Sequence, residues 1–164
     1  MSIKLVSVKD EEKDILYRLL QFALYDGSFY IDNQINEKGI FEYKYFDVYF
    51  SNKRRDKYFI TYNDKLAGFV MINEHNKFNT NGKTIAEFLV MPEFRRNHIG
   101  EQAAILTFEK YPGNWEVQPM ENNPIAYSFW KKVISKYTNN TFNIKNDGIE
   151  DVFIFNNSSN KIVS

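Results

Sequence analysis

No cysteine occurs in the 164 residues. That excludes disulfides, a thiolate nucleophile and thiolate metal sites. Histidine is nearly as scarce. His75 and His98 stand far apart, a weak basis for a metal centre, so no metal is expected. A surplus of one charge is missing as well: 21 basic residues face 21 acidic ones, for a formal net charge of zero. General nucleic-acid binding needs a basic excess on at least one face, so no nucleic-acid partner is expected. No apolar run is long enough to span a membrane, and the N-terminus lacks the apolar core of a signal peptide. The expectation is a cytoplasmic protein with no membrane partner. The sequence also has no Gly-x-Ser-x-Gly elbow, no Walker A loop and no dinucleotide-binding glycine fingerprint.

What is present suffices for a packed core. Hydrophobic residues make up 43% of the chain and aromatic residues 17%. The length suits one domain and is short for two, and no linker or internal repeat divides it, so residues 1–164 read as a single domain.

The most informative stretch is IAEFLVMPEFRRNHIGEQ, residues 85–102. Its first seven residues are an apolar, β-branched and aromatic run that predicts a buried strand, stopped by Pro92. A basic turn follows, and then Ile99, Ala103 and Leu106 recur at helical spacing. Where a strand runs through a turn into a helix N-terminus, unpartnered N–H groups and a positive dipole end suit an anion. Arg95 and Arg96 add forked donors suited to phosphate. An ordinary strand-to-helix connection with two solvated arginines would show the same local pattern, and both readings stay open on that pattern alone.

Apolar stripes and turn signals order the rest. Residues 3–8 alternate as an edge strand. Asp10 reads as an N-cap, and Ile15, Leu16, Leu19, Leu20, Ala23 and Leu24 form the stripe of a helix over 11–25. Residues 26–56 are dense in Tyr, Phe, Asp and Glu without a clean period, and a second helix is expected over 40–50. That region reads either as an aromatic, acidic wall suited to an amine or as a helical layer whose tyrosines face both core and water. Lys53, Arg54, Arg55 and Lys57 read as a solvated turn. Strands over 57–62 and 66–73 flank Asn63-Asp64-Lys65, a hairpin signal, and Gly68 marks a bulge or a close approach. A strand over 83–91, a helix over 99–111 stopped by Pro112-Gly113, and a strand over 115–120 follow. Asn123 and Pro124 open a helix with the stripe Ala126, Phe129, Trp130 and Val133. Strands over 141–145 and 151–156 flank Asn146-Asp147-Gly148. The polar last residues read as a frayed end. The order β-α-α-β-β-β-α-β-α-β-β gives an α/β (mixed α+β) fold, with a mainly antiparallel central sheet flanked by helices.

Two of these stretches resemble a known family. Arg95-Arg96-Asn97-His98-Ile99-Gly100, following a strand that ends Val90-Met91-Pro92, is similar to motif A of the GNAT superfamily, the acetyl-CoA-dependent N-acetyltransferases. The departure is His98, where that family's first Gly is usual. Asn123, Ala126 and the pair Phe129-Trp130 match the spacing of its motif B. Here the departure is Trp130, where the family usually carries a Tyr that protonates the leaving thiolate. An indole N–H donates but does not ionise usefully, and Tyr127, one turn earlier, lies well off the direction of Trp130. The detailed match covers about residues 85–133, and the order of elements agrees with the GNAT fold from end to end.

The resemblance implies acetyl-CoA as cosubstrate and a small-molecule or protein amine as acceptor. Pyrophosphate would meet the N–H groups of Asn97, His98, Ile99 and Gly100 beside Arg95 or Arg96. The pantetheine arm would pair with the backbone of Leu89 and Val90, where the neighbouring strand splays away, and Asn123 is carried over as a cofactor contact. A backbone N–H there would polarise the thioester carbonyl for direct attack by the amine. Glu87 shares a face with Leu89 and opposes Phe88 and Val90, so it is either the general base or a paired carboxylate of the sheet. A homodimer is consistent with the family. The alternative is a catalytically weak acyl-CoA-binding or protein-interaction domain on the same fold.

Overall fold

The computed structural model describes residues 2–159, so the frayed end expected at the polar C-terminus lies outside the described residues. Seven strands form one sheet in the order β1-β2-β3-β4-β5-β7-β6. They are β1 (Ile3–Ser7), β2 (Asp56–Tyr62), β3 (Lys65–Asn73), β4 (Lys83–Val90), β5 (Asn114–Val117), β6 (Asn143–Asn146) and β7 (Asp151–Asn156). Among the described residues four α-helices complete the expected order: α1 (Lys13–Gly27), α2 (Val48–Ser51), α3 (Ile99–Lys110) and α4 (Pro124–Tyr137). All neighbours in the sheet are antiparallel except β4 and β5.

Each face of the sheet is covered. On one, α1 buries Leu16, Leu19, Leu20 and Ala23 against Phe59, Phe69, Met71 and Leu89. Tyr49 of α2 joins that core. On the other, Trp130, Val133 and Ile134 of α4 pack with Phe108 of α3 and with Trp115, Phe153 and Phe155 of the sheet. The stripes read on α1 and α4 are the faces packed on the sheet, because a period of 3.6 leaves one continuous apolar face per helix. On α3, Ile99 and Ala103 are buried as expected but Leu106 is exposed, and Ala104, Thr107 and Phe108 complete the buried face instead.

Several boundaries depart from expectation for identifiable reasons. The helix expected over 40–50 is reduced to the single turn α2. Asn36 Oδ1 accepts the N–H groups of Lys38 and Ile40, at 2.9 and 3.1 Å. Gln21 of α1 clamps the N–H and C=O of Phe41, at 2.9 and 2.8 Å. Side chains therefore take backbone groups that a helical ladder would have used. A 3-10 turn, Asp10–Glu12, precedes α1, and Glu12 rather than Asp10 supplies the cap by accepting the N–H of Lys9 at 3.0 Å. The strand expected over 115–120 ends at Val117, where its pairing with β7 stops.

The hairpin at Asn63 and Asp64 turns with both residues at positive φ, 49° and 64°, as a two-residue primed turn requires. Gly68 is both kinds of site proposed for it. The register shifts beside it, between β2 and β3, and a Cβ there would lie 2.0 Å from the carbonyl oxygen of Leu89.

Candidate active site

The site begins where the sheet comes apart. β4 and β5 pair only at Lys83–Trp115 and Thr84–Glu116. Just beyond, the β3–β4 register shifts, so Met71 faces Glu87 while Ile72 faces Ile85. Ala86 is the extra residue of a β-bulge, which bends β4 and increases its twist. From there to Val90, β4 has no partner on its β5 side among the described residues, and a cleft opens between it and α4.

The outer part of the cleft has a volume of about 510 Å³. Phe88, Val90, Phe129 and Ile125 give it apolar walls, while Arg95, His98 and Lys132 bring basic groups to it. The inner part, about 260 Å³, reaches Ala86, Glu87, Gln118 and Met120. Asp26, Phe88, Leu89, Asn123, Ala126 and Trp130 border both parts, so the two adjoin.

Backbone alternation decides which β4 groups face the gap. Met91 donates its N–H to Ala67 of the β3 side at 2.7 Å. Two residues earlier, Leu89 faces β3 in the same sense, and the groups of Phe88 and Val90 point into the splay. The Val90 carbonyl there accepts Arg95 Nε at 2.7 Å.

The expected loop residues separate into two groups. Arg95, His98 and Gly100 line the outer cleft. Arg95 also pairs with Asp26 at 3.4 Å, which ties the loop to the end of α1. Arg96 and Asn97 are exposed and border neither part. Ile99 is fully buried against Ile60, Ala67 and Ala103, leaving only its backbone for the loop.

His98 has φ 56° and ψ 21°, left-handed backbone that suits glycine, and it is the residue from which α3 starts. Gly100 is needed for packing: a Cβ would approach the Phe129 ring at 3.3 Å, tighter than ordinary contact. Glu101, in the first turn of α3, is held ionised below the usual carboxylate range. Lys136 bonds it at 2.6 Å, and His98 Nδ1 lies 3.4 Å away.

Motif B places its residues as spaced. Asn123 caps α4 by accepting the Ala126 N–H at 3.0 Å, which leaves its amide NH₂ for the cleft it borders. Trp130 is 6% exposed and packs edge-on against Phe88 and Phe129. Tyr127 points elsewhere and donates to Asp151 Oδ2 at 2.9 Å. That bond raises the Tyr127 pKa, so it is neither aimed at the cleft nor primed as an acid.

Glu87 borders the inner cleft and shares the α1-side face with Leu89, as expected from alternation. Burial pushes its carboxyl up to about 7, while a hydrogen bond from Tyr43 pulls the other way. A half-buried carboxyl at that value is partly ionised near neutrality and can exchange protons with a bound group. Tyr43 was not legible as a site residue, because it lies in the stretch without a period. Its phenol is raised well above the ordinary range, by burial and then by the Glu87 charge.

Arg55 also departs from the solvated turn expected of it. Its guanidinium lies over the rings of Tyr49 and Tyr45, at 5.1 and 5.3 Å, and reaches His75 Nε2 at 2.7 Å. Among the described residues no group of three His, Cys, Asp or Glu could hold a metal, and no helix is long and apolar enough to cross a membrane.

Comparison with known proteins agrees with this architecture. The structure is similar to an acetyltransferase from Thermus thermophilus (TM-score 0.69, 12% identity, 94% of this chain and 95% of that one). It is also similar to the PaiA N-acetyltransferase from Thermoplasma acidophilum, solved with coenzyme A (TM-score 0.56, 16% identity, 95% and 99% covered). A third similar structure comes from a KacTA–DNA complex (TM-score 0.59, 12% identity, 99% and 98% covered). No curated protein matches the sequence significantly. The family described as Acetyltransferase (GNAT) matches residues 16–134, which span both motifs, the splayed strand and Glu87, and the chain belongs to that family.

Proposed function

We propose that residues 1–164 form one cytoplasmic N-acetyltransferase domain that moves an acetyl group from acetyl-CoA to a primary amine. The observation that carries this is a cleft of two adjoining parts. An unpaired strand edge and a helix N-terminus lie along its outer part, and a carboxyl raised to about 7 borders its inner part. The residues fit an acyl-CoA. The free edge of β4 at Phe88 and Val90 suits the amide-bearing arm, and the apolar walls suit its methylenes. The first turn of α3, with Arg95 and Lys132, suits phosphates.

Acetyl-CoA supplies a thioester, which a neutral amine attacks without a covalent enzyme intermediate. The protein's part is then positioning and proton removal. The Val90 N–H, pointing into the splay, orients and polarises the carbonyl. Glu87 takes the proton that the amine must lose, directly or through water. The acceptor is a small-molecule or protein amine rather than nucleic acid, since the chain has no net positive charge. A homodimer is consistent with this reading.

The test is thiol release from acetyl-CoA with a panel of polyamines, amino acids and peptide N-termini. Release that depends on one amine class supports the reading. No release with any amine, despite acetyl-CoA binding, leaves the second one: a catalytically weak acyl-CoA binder. Trp130 specifically favours that second reading, because it provides no Tyr to protonate the departing thiolate. Trp130→Tyr discriminates the two, since a large gain in turnover without tighter CoA binding identifies the weak form.

A further inference from the structure

The two parts of the cleft differ in charge. Arg95, His98 and Lys132 border the outer part. Among the described residues no Lys, Arg or His borders the inner part, while two carboxylates do, Asp26 and Glu87. Asp26 stands where the two parts meet, and Glu87 borders the inner part alone.

Two cations lie behind this wall, and each is already paired. Arg95 reaches Asp26 at 3.4 Å from the side of the loop. Lys77 donates to Gln118 Oε1 at 2.7 Å and pairs with Asp147. Gln118 Nε2 donates to the same Asp147 carboxylate at 2.9 Å. Both ends of the Gln118 amide are therefore engaged with groups that do not border the cavity.

The rest of the wall is mostly apolar and includes small residues. Ala23 and Gly27 come from α1, Val117 from β5, Met120 from the segment after it and Trp130 from α4. Gly27 limits the width. A Cβ there would lie 2.6 Å from Met120 Cε, so a side chain would displace the end of Met120, which borders the same cavity. The inner part holds about 260 Å³, below the roughly 300–1,000 Å³ of sites for drug-sized ligands.

The chemistry that matches this space is short, aliphatic and basic. An amine meets Glu87 as a charge-assisted partner, and its methylenes lie on Ala23, Val117 and Met120. An acid group on the acceptor would face Asp26 and Glu87 with no cation to pair it, and an unpaired buried charge is costly. Rejection then needs no clash of shape, because like charge supplies the repulsive element.

From this arrangement we infer that the inner part selects a small aliphatic amine without an acid group, with Asp26 and Glu87 setting the charge preference and Gly27 the size. The inference rests on the reading of the cleft as an acetyltransferase site. It narrows the acceptor to alkyl monoamines and diamines rather than amino acids.

The experiment compares 1-aminobutane, 1,4-diaminobutane and 4-aminobutanoate, which share one chain length and carry a methyl, an ammonium and a carboxylate at the far end. Thiol release from acetyl-CoA gives kcat/KM for each. Calorimetry on the full chain, with and without CoA, gives binding apart from turnover. The first two amines are expected to exceed 4-aminobutanoate by about 100-fold in both readouts, the scale of a like-charge juxtaposition. Equal values for 4-aminobutanoate, or binding of none of the three, overturns the inference.

Gly27→Ala tests the place of selection. It is expected to weaken binding of the two basic amines about tenfold, the scale of one methylene in a pocket, with acetyl-CoA affinity unchanged. A loss of acetyl-CoA affinity with amine binding unchanged also overturns the inference, since the inner part would then hold the cosubstrate. If the basic amines bind selectively and no thiol is released, the inner part selects as inferred, and it is the transfer reading that fails.

Discussion

The two sides of the cleft are built in different ways. The outer side is nearly continuous in sequence: Phe88, Leu89 and Val90 run through the Arg95–His98 turn into Gly100 and Glu101, with Asn123 and Phe129 added from α4. The inner side is gathered from scattered places: Ala23 and Gly27 from α1, Glu87 from the middle of β4, Gln118 and Met120 from the segment after β5, and Ala126 and Trp130 from α4. A strand, turn and helix carry their own local signals of period, stop and cap. A wall gathered from elements far apart in sequence carries none. The outer side can therefore be recognised from sequence, and the inner side, where the acceptor would be chosen, cannot.

If the two sides are separable, a change on the inner side should abolish turnover and spare binding. Glu87→Gln is expected to lower kcat/KM about 10³-fold, at the scale of general-base loss, with the affinity for acetyl-CoA unchanged. In the wild type, the rate should rise with pH through about 7, where Glu87 ionises, and level above it. Steady-state kinetics beside calorimetric binding measure both, and an equal loss of binding would join the two sides.

β4 belongs to both sides, so disturbing it should damage both. Gly68→Ala places a Cβ 2.0 Å from the Leu89 carbonyl oxygen, which forces β3 and β4 apart. It is expected to cost about 3 kcal/mol in urea unfolding, the upper part of the overpacking range.

Glu87 also links the inner side to stability. Its folded pKa, about 7, lies above the ordinary value of 4.5. The folded state therefore favours the protonated form, and that contribution is full below pH 4.5 and lost as pH rises through 7. Glu87→Gln should accordingly become more stable than wild type as pH rises from 5 to 8. The gap expected is about 2 kcal/mol after discounting for solvent in the cleft, read from unfolding midpoints across that range.

The smallest effect expected is on the outer side. His98 holds left-handed backbone at φ 56°. His98→Gly should unfold at slightly higher denaturant than wild type, and His98→Val at lower, with about 1 kcal/mol separating them. Equal stabilities would mean that the turn relaxes freely.

Particular residues show how far the sequence reaches. The helical stripes on α1 and α4, the Asn63-Asp64 turn and the order of the elements were all legible, because each rests on spacing within a few residues. Trp130 was recognisable as a departure, and its burial against Phe88 and Phe129 agrees with a packing role. The bulge at Ala86 was not legible: one residue out of register in an apolar run leaves no mark in composition. The expected helix over 40–50 failed for the opposite reason, since the backbone at its start, Ile40 and Phe41, is held instead by the side chains of Asn36 and Gln21. Arg55, read as solvated, stacks on two tyrosines brought to it by the chain's return.

If the splayed strand and the start of α3 form an acyl-CoA site, the native protein binds acetyl-CoA and CoA alike. A thermal-shift titration with acetyl-CoA and CoA, with NADH as a nucleotide control, tests it most directly. Binding to the native state alone raises stability by RT ln(1 + [L]/Kd), about 2.7 kcal/mol at a hundredfold excess over Kd. Acetyl-CoA and CoA are expected to raise Tm with increasing concentration, and NADH is not. No shift with acetyl-CoA at millimolar concentration, or an equal shift with NADH, would contradict it.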